Sequence, residues 1–185
     1  MTSSPLTLKT VFIAGVLAMC GAAQAANNMP DAEYKAGKDR IAAEHKAAKA
    51  ACDRLAGNTK DVCEEEAEAK EKVARAELEY ARTGKPSDAE KLAMVKADTA
   101  YEVAKERCDD KAGNEKDVCV KEAKAAQTKA HADAKAMRKT GDARRDATQD
   151  KRDADYQVAA EKCDAMSGDT KAQCIAAAKA RFGKS

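Results

Sequence analysis

The sequence predicts an all-α fold: three tandem antiparallel helical hairpins, each stapled by one disulfide, in a thin Ala-rich bundle or an elongated array. Three observations carry this. A twelve-residue block, Cys52-Asp53-Arg54-Leu55-Ala56-Gly57-Asn58-Thr59-Lys60-Asp61-Val62-Cys63, recurs from Cys108 to Cys119 and, more loosely, from Cys163 to Cys174. The first cysteines are 56 and 55 residues apart, a period typical of stacked supersecondary units. The stretches between blocks are dominated by Ala, Lys, Glu, Asp and Arg and contain few Gly or Pro, a composition typical of long helices and coiled coils.

A distance argument turns the block into a hairpin. On one unbroken helix, Cys52 and Cys63 would share a face but lie about 16 Å apart at 1.5 Å per residue. A disulfide needs Cα atoms within about 7 Å. Internal bridges 52–63, 108–119 and 163–174 therefore require the chain to fold back between each pair. Gly57, Gly113 and Gly168 sit near the midpoints and are the expected turns, as residues that tolerate the left-handed backbone of a helix C-terminus.

In chain order, residues 1–25 read as a signal peptide. Lys9 is the only charge, Val11 to Met19 is apolar but too short to span a bilayer as a helix, and Ala23-Gln24-Ala25 fits a small-x-small cleavage site. The competing reading is a lipoprotein signal with Cys20 lipidated, although Met19 is bulky where such signals place a small residue. Cleavage after Ala25 removes Cys20 and leaves six cysteines, all within the repeated blocks. An even count behind a secretory signal points to a disulfide framework and a periplasmic or secreted location.

The first hairpin is expected over 26–84. Pro30-Asp31 starts its first arm, which runs to about Ala56, and the second arm runs from Thr59 or Lys60 to about Arg82. Thr83-Gly84-Lys85-Pro86 is a firm break. The second hairpin, 85–141, opens on Ser87-Asp88-Ala89-Glu90, a capping-box pattern with Ser87 at the N-cap. Its arms are expected to reach about Ala112 and Lys139. Thr140-Gly141-Asp142 echoes Thr83-Gly84 but lacks the proline, so a softer break is expected there. The third hairpin, 142–185, turns at Gly168-Asp169 and ends in a short arm near Phe182. These breaks predict that the second and third units are coupled more stiffly than the first and second.

Antiparallel arms about Gly57-Asn58 bring Tyr34 toward Tyr80 and Ile41 toward Val73. Tyr34, Ile41, His45, Ala48 and Cys52 recur at helical spacing, as a packed seam should. One and two periods after His45 stand Tyr101 and Tyr156, so His45 is expected to fill the seam.

The 44% hydrophobic content is largely Ala, large aliphatics are scarce, and aromatics are only 3%. Such a chain builds a thin core and gains from cross-links. With 34 Lys and Arg against 32 Asp and Glu, the balanced charge gives no general drive toward nucleic acid or membrane surfaces, and the mature chain carries no apolar run long enough for an integral membrane span. Cys-x10-Cys is wider than zinc spacing, and no Cys-x-x-Cys redox motif occurs. Glu64-Glu65-Glu66 and Asp109-Asp110 lack the glycine-centred loop of a calcium site and read as solvated helix face. Arg144-Arg145 and Lys151-Arg152 alternate with Asp and read as intrahelical pairs. No phosphate loop, dinucleotide fingerprint or nucleophile elbow is present, so no enzyme and no cofactor are expected.

The leader, the Ala/Lys/Glu/Asp helices and the Cys-Asp-x4-Gly-Asn-x-Lys-Asp-Val-Cys block together resemble a group of Ala/Lys-rich secreted helical-repeat proteins of proteobacteria, sometimes labelled TolA-like cell-envelope proteins. The resemblance brings no activity with it. The leader, the repeat and the absence of a recognisable site point to a non-enzymatic periplasmic structural or interaction protein of the cell envelope, with an envelope protein or self-association as partner. Two other classes compete: a stress protectant or holdase, from the Ala/Lys/Glu/Asp composition, and a metal- or redox-handling protein, from the six cysteines.

Overall fold

The computed structural model describes residues 29–184, and these form five α-helices: α1 Asp31–Cys52, α2 Asn58–Thr83, α3 Pro86–Arg107, α4 Gly113–Cys163 and α5 Gly168–Phe182. A short 3-10 turn, Cys108–Asp110, closes α3. The leader expected over 1–25, including Cys20, lies outside the described residues.

Each helix packs on the next in chain order. α1 lies on α2, α2 on α3, α3 on the first half of α4, and the second half of α4 on α5. The first three pairings make a serpentine layer of four antiparallel segments. Its most extensive contact is α2 on α3, between hairpins one and two. These two units are thus joined side by side despite the sharp turn between them, whereas the third is joined to the second along a single helix.

The arms pair antiparallel as expected, with side-chain contacts one to three residues from the expected partners. Along the first seam Cys52 meets Cys63, Lys49 Nζ lies 3.4 Å from Glu68, His45 Nδ1 lies 3.0 Å from Glu71, and the Tyr34 hydroxyl donates to Glu79 at 2.8 Å. Glycine at 37 lets α1 approach α2 closely: a Cβ there would stand 2.8 Å from a Leu78 methyl carbon. The core is thin, as its composition requires. Among the described residues its buried members are Gly37, Ile41, Thr99, the first cysteine of each pair, and one alanine on each helix but α1: Ala67, Ala97, Ala134 and Ala178. Buried Thr99 satisfies its hydroxyl within its own helix, donating to Val95 and Lys96 carbonyls at 2.8 and 3.3 Å.

Three expectations are corrected. The first arms stop at or next to the cysteine, at Cys52, Arg107 and Cys163, about four residues short of the expected ends. The chain leaves the helix there because the bridging partner must lie beside it. The capping box at Ser87 does not form, since α3 begins two residues earlier, with Pro86 at its first turn and Lys85 at the N-cap. Proline's fixed φ suits that first position. Asp88 accepts instead from the Thr83 hydroxyl, and Glu90 turns to Arg138. Finally, no break occurs at Gly141. The second arm of hairpin two and the first arm of hairpin three are one 51-residue helix, about 76 Å long. A lone glycine costs a helix only about 1 kcal/mol, and Asp142 bridges the position by pairing with both Arg138 and Arg145.

Candidate functional site

The six cysteines form the three bridges expected from the repeat, with Cα–Cα distances of 5.7 Å for 52–63, 5.8 Å for 108–119 and 5.7 Å for 163–174. All are ordinary disulfide separations. Cys52, Cys108 and Cys163 are buried, and their partners are half-buried.

Gly57, Gly113 and Gly168 each turn the chain with φ between 53° and 57°. They do so at the start of the second arm and not at the end of the first. Gly57 combines φ 57° with ψ −154°, a backbone region essentially restricted to glycine. A Cβ at Gly57 would meet nothing within 4 Å, so the residue is required by its backbone and not by crowding.

The repeated block holds a second constraint that its cysteines overshadow in the sequence. The first cysteine's carbonyl accepts from the amide three residues on, Leu55, Lys111 or Met166, at 2.9, 2.9 and 3.0 Å. The aspartate after it then pairs across the loop with a lysine of the second arm: Asp53 with Lys60 at 3.7 Å, Asp109 with Lys116 at 3.0 Å, Asp164 with Lys171 at 2.9 Å. The signal was visible as an Asp and a Lys kept at fixed offsets in all three copies. Half-exposed pairs of this kind contribute tenths of a kcal/mol to about 1 kcal/mol each, so they tune the loop and the disulfide holds it.

The seam position shared by His45, Tyr101 and Tyr156 is polar-tipped in every unit. His45 faces Glu71, whose other oxygen accepts from Arg75 Nε and Nη2 at 2.9 and 2.7 Å. Tyr101 lies under Lys124, 4.9 Å from the ring centroid, and Tyr156 meets Phe182 edge-on at 6.5 Å. His131 Nε2 lies 2.8 Å from Asp98 without making a hydrogen bond to it. The two histidines sit in different seams, and among the described residues no group of three or more His, Cys, Asp and Glu side chains gathers as a metal site would need.

A concavity of about 580 Å³ forms a groove between α1 and α3 floored by α2. Most of its polar groups are already paired. Tyr34 donates to Glu79, and that carboxylate, with partial burial, holds the phenol above its ordinary pKa. Arg82 stacks on the same ring at 4.2 Å. Asp88 is held by Thr83, and Asp98 accepts from Gln127 at 2.5 Å. At the far end of the molecule, Lys184 donates to Asp153 at 2.5 Å and keeps that carboxyl below its ordinary pKa.

The acidic and basic runs are divided by the fold. Glu64 pairs within its helix with Lys60, while Glu66 crosses to Arg107 on α3 at 2.5 Å. Arg145 pairs with Asp142 as expected, but Lys151 forms no ion pair among the described residues. Among those residues no helix is long and apolar enough to cross a membrane. Compared with protein-family models, curated proteins and solved structures, the chain finds no match.

Proposed function

We propose that the protein is a non-enzymatic structural or interaction protein of the cell envelope, working in an oxidising compartment outside the cytoplasm. The observation that carries this reading is the commitment of all six repeat cysteines to three equivalent local staples. Staples of this kind persist where thiols are kept oxidised, and they hold helices whose thin Ala core would otherwise be marginal. What the staples hold in place is a set of charged helical faces with fixed register, which is the useful output of such a fold. The sequence resemblance to secreted helical-repeat proteins supports the same reading, as does the leader read over 1–25. Mass measurement of the protein taken from fractionated cells under thiol-blocking conditions tests it. Three intact disulfides in the envelope or secreted fraction are expected. Six free thiols in a cytoplasmic fraction would overturn the proposal and favour thiol chemistry or metal handling instead.

A further inference from the structure

The repeat makes α4 the opened counterpart of the α2–α3 hairpin. Advancing α2 by the first period, 56 residues, lands on the first half of α4, and advancing α3 by the second, 55 residues, lands on its second half. In the closed hairpin, two ion pairs link α2 and α3 and mark their register: Glu77 with Lys96 at 2.7 Å and Glu66 with Arg107 at 2.5 Å. Their counterparts on α4 are Asp133 with Lys151 and Glu122 with Lys162. Both keep their signs. On one continuous helix these partners are about 27 Å and 60 Å apart and cannot meet.

All four counterparts are exposed, and none has an ion pair among the described residues. The same register places Val73 opposite Ala100 on α2 and α3. Its counterparts are Lys129 and Asp155, a third complementary pair, also exposed and also without an ion pair there. Ala81 opposite Leu92 becomes Met137 opposite Ala147, so the large residue has moved to the other side and the fit is retained. Met137 and Val158, 67% and 56% exposed, are the most exposed large apolar residues described, and both fall on this stripe.

We propose that the stripe along α4 is a self-association surface whose occupant is the α4 helix of a second copy of this chain. Two α4 helices lie antiparallel about a twofold axis at Asp142, beside Gly141. Each copy's second half then takes, on its partner's first half, the place that α3 takes on α2. Every pair occurs twice, as an isologous interface requires. The arrangement is a domain swap: the contact that hairpins one and two make within the chain is made by units two and three between chains. The inference goes beyond the envelope role proposed above and stands without it.

Light scattering of the full mature chain across a concentration series should show a species of twice the chain mass. Asp133→Lys or Lys151→Asp alone should weaken association about tenfold or more, since attraction becomes repulsion at two symmetric places. The double reversal should restore it. A second readout separates geometry from folding. Ala136→Cys with Thr148→Cys, opposite each other in this register, should oxidise to a covalent dimer. A crosslink within one chain would mean α4 folds back at Gly141, and that overturns the proposal. A monomer at every concentration with no crosslink overturns it as well, as would a dimer indifferent to both charge reversals.

Discussion

Thr83-Gly84 and Thr140-Gly141 begin alike and end in opposite structures. At the first, Gly84 adopts φ 58° and ψ 10°, its amide donates to Tyr80 at 2.8 Å, and Pro86 starts a new helix in the reverse direction. At the second, Gly141 stays helical and α4 runs on through it. The local difference is small: a Lys-Pro in one place, an Asp-Ala in the other. Proline removes an amide and blocks helix continuation, whereas Asp142 ties two arginines across the glycine. The tertiary difference is large. The first junction lays two hairpins side by side, and the second sends the third hairpin away from the layer with only its own arms in contact. A junction's geometry thus decides which helical faces find partners inside the chain.

The strongest way to sharpen this contrast is to cut a staple on each side of it. Converting Cys163 and Cys174 to Ser should abolish α5, which is 15 residues long and, among the described residues, packs chiefly on α4. Helices of that length are marginal alone, and the lost bridge removes about 3 kcal/mol. Converting Cys52 and Cys63 to Ser should leave α1 folded but less protected, because its 22 residues are also held by the Tyr34, Lys49 and Gly37 contacts. Hydrogen exchange of the two helices reads the difference, and equal loss would break the comparison.

Ala143→Pro recreates at the second junction the Gly-x-Pro spacing of the first. It should cost the straight form of α4 about 3 kcal/mol and shorten the molecule as α4 folds back. Small-angle scattering should show a smaller radius of gyration, and a chain of unchanged length would contradict the reading of Pro86 as the deciding residue. The two glycines should then respond with opposite signs to alanine. Gly84→Ala should destabilise by about 1 to 2 kcal/mol, because alanine is strained in the left-handed region. Gly141→Ala should stabilise by up to about 1 kcal/mol, since an added Cβ meets only an Arg145 nitrogen at 3.6 Å. Denaturant unfolding measures both.

The smallest effects separate the two ends of the molecule by pH. Asp153 is depressed by its bond from Lys184, so its contribution is present above the ordinary carboxyl range and is lost as pH falls through its folded value. Tyr34 is raised by Glu79, so its contribution is present below the ordinary tyrosine value and lost as pH rises through its folded one. Acid should therefore loosen the third hairpin at Asp153, and alkali the first at Tyr34. Lys184→Ala should abolish the first dependence and Glu79→Gln the second, as followed by NMR titration of these residues.

Much of this architecture was legible in the residues. The cysteine spacing with a disulfide's reach predicts three hairpins, and the midpoint of the first block predicts the antiparallel pairing of its arms to within about three residues. The first arms end earlier than expected because Arg54-Leu55-Ala56, Lys111-Ala112 and Ala165-Met166 are good helix formers, while the turn is set by a sulfur bridge that helix propensity does not see. The break at Gly141 was over-read because a glycine marks a turn only when its neighbours also stop the helix. The Asp–Lys pairs across the loops lay in the repeated block, but paired charges carry no meaning until a turn brings them together. The charged stripe on α4 became readable only when the ion pairs of α2 and α3 showed which positions to compare.

The consecutive pairing of the cysteines has a consequence for how the protein is made. Six cysteines permit 15 connectivities, yet here each bonds to the next one along the chain, 11 residues on. A chain emerging N-terminus first into an oxidising space can complete one staple before the next pair appears. Closing a loop of about ten residues takes tens of nanoseconds, so the two cysteines of one staple meet far more readily than cysteines of different blocks, which are 44 residues or more apart. The native pairing is also the nearest one, and mispaired bridges that a reshuffling catalyst would have to undo are disfavoured from the start.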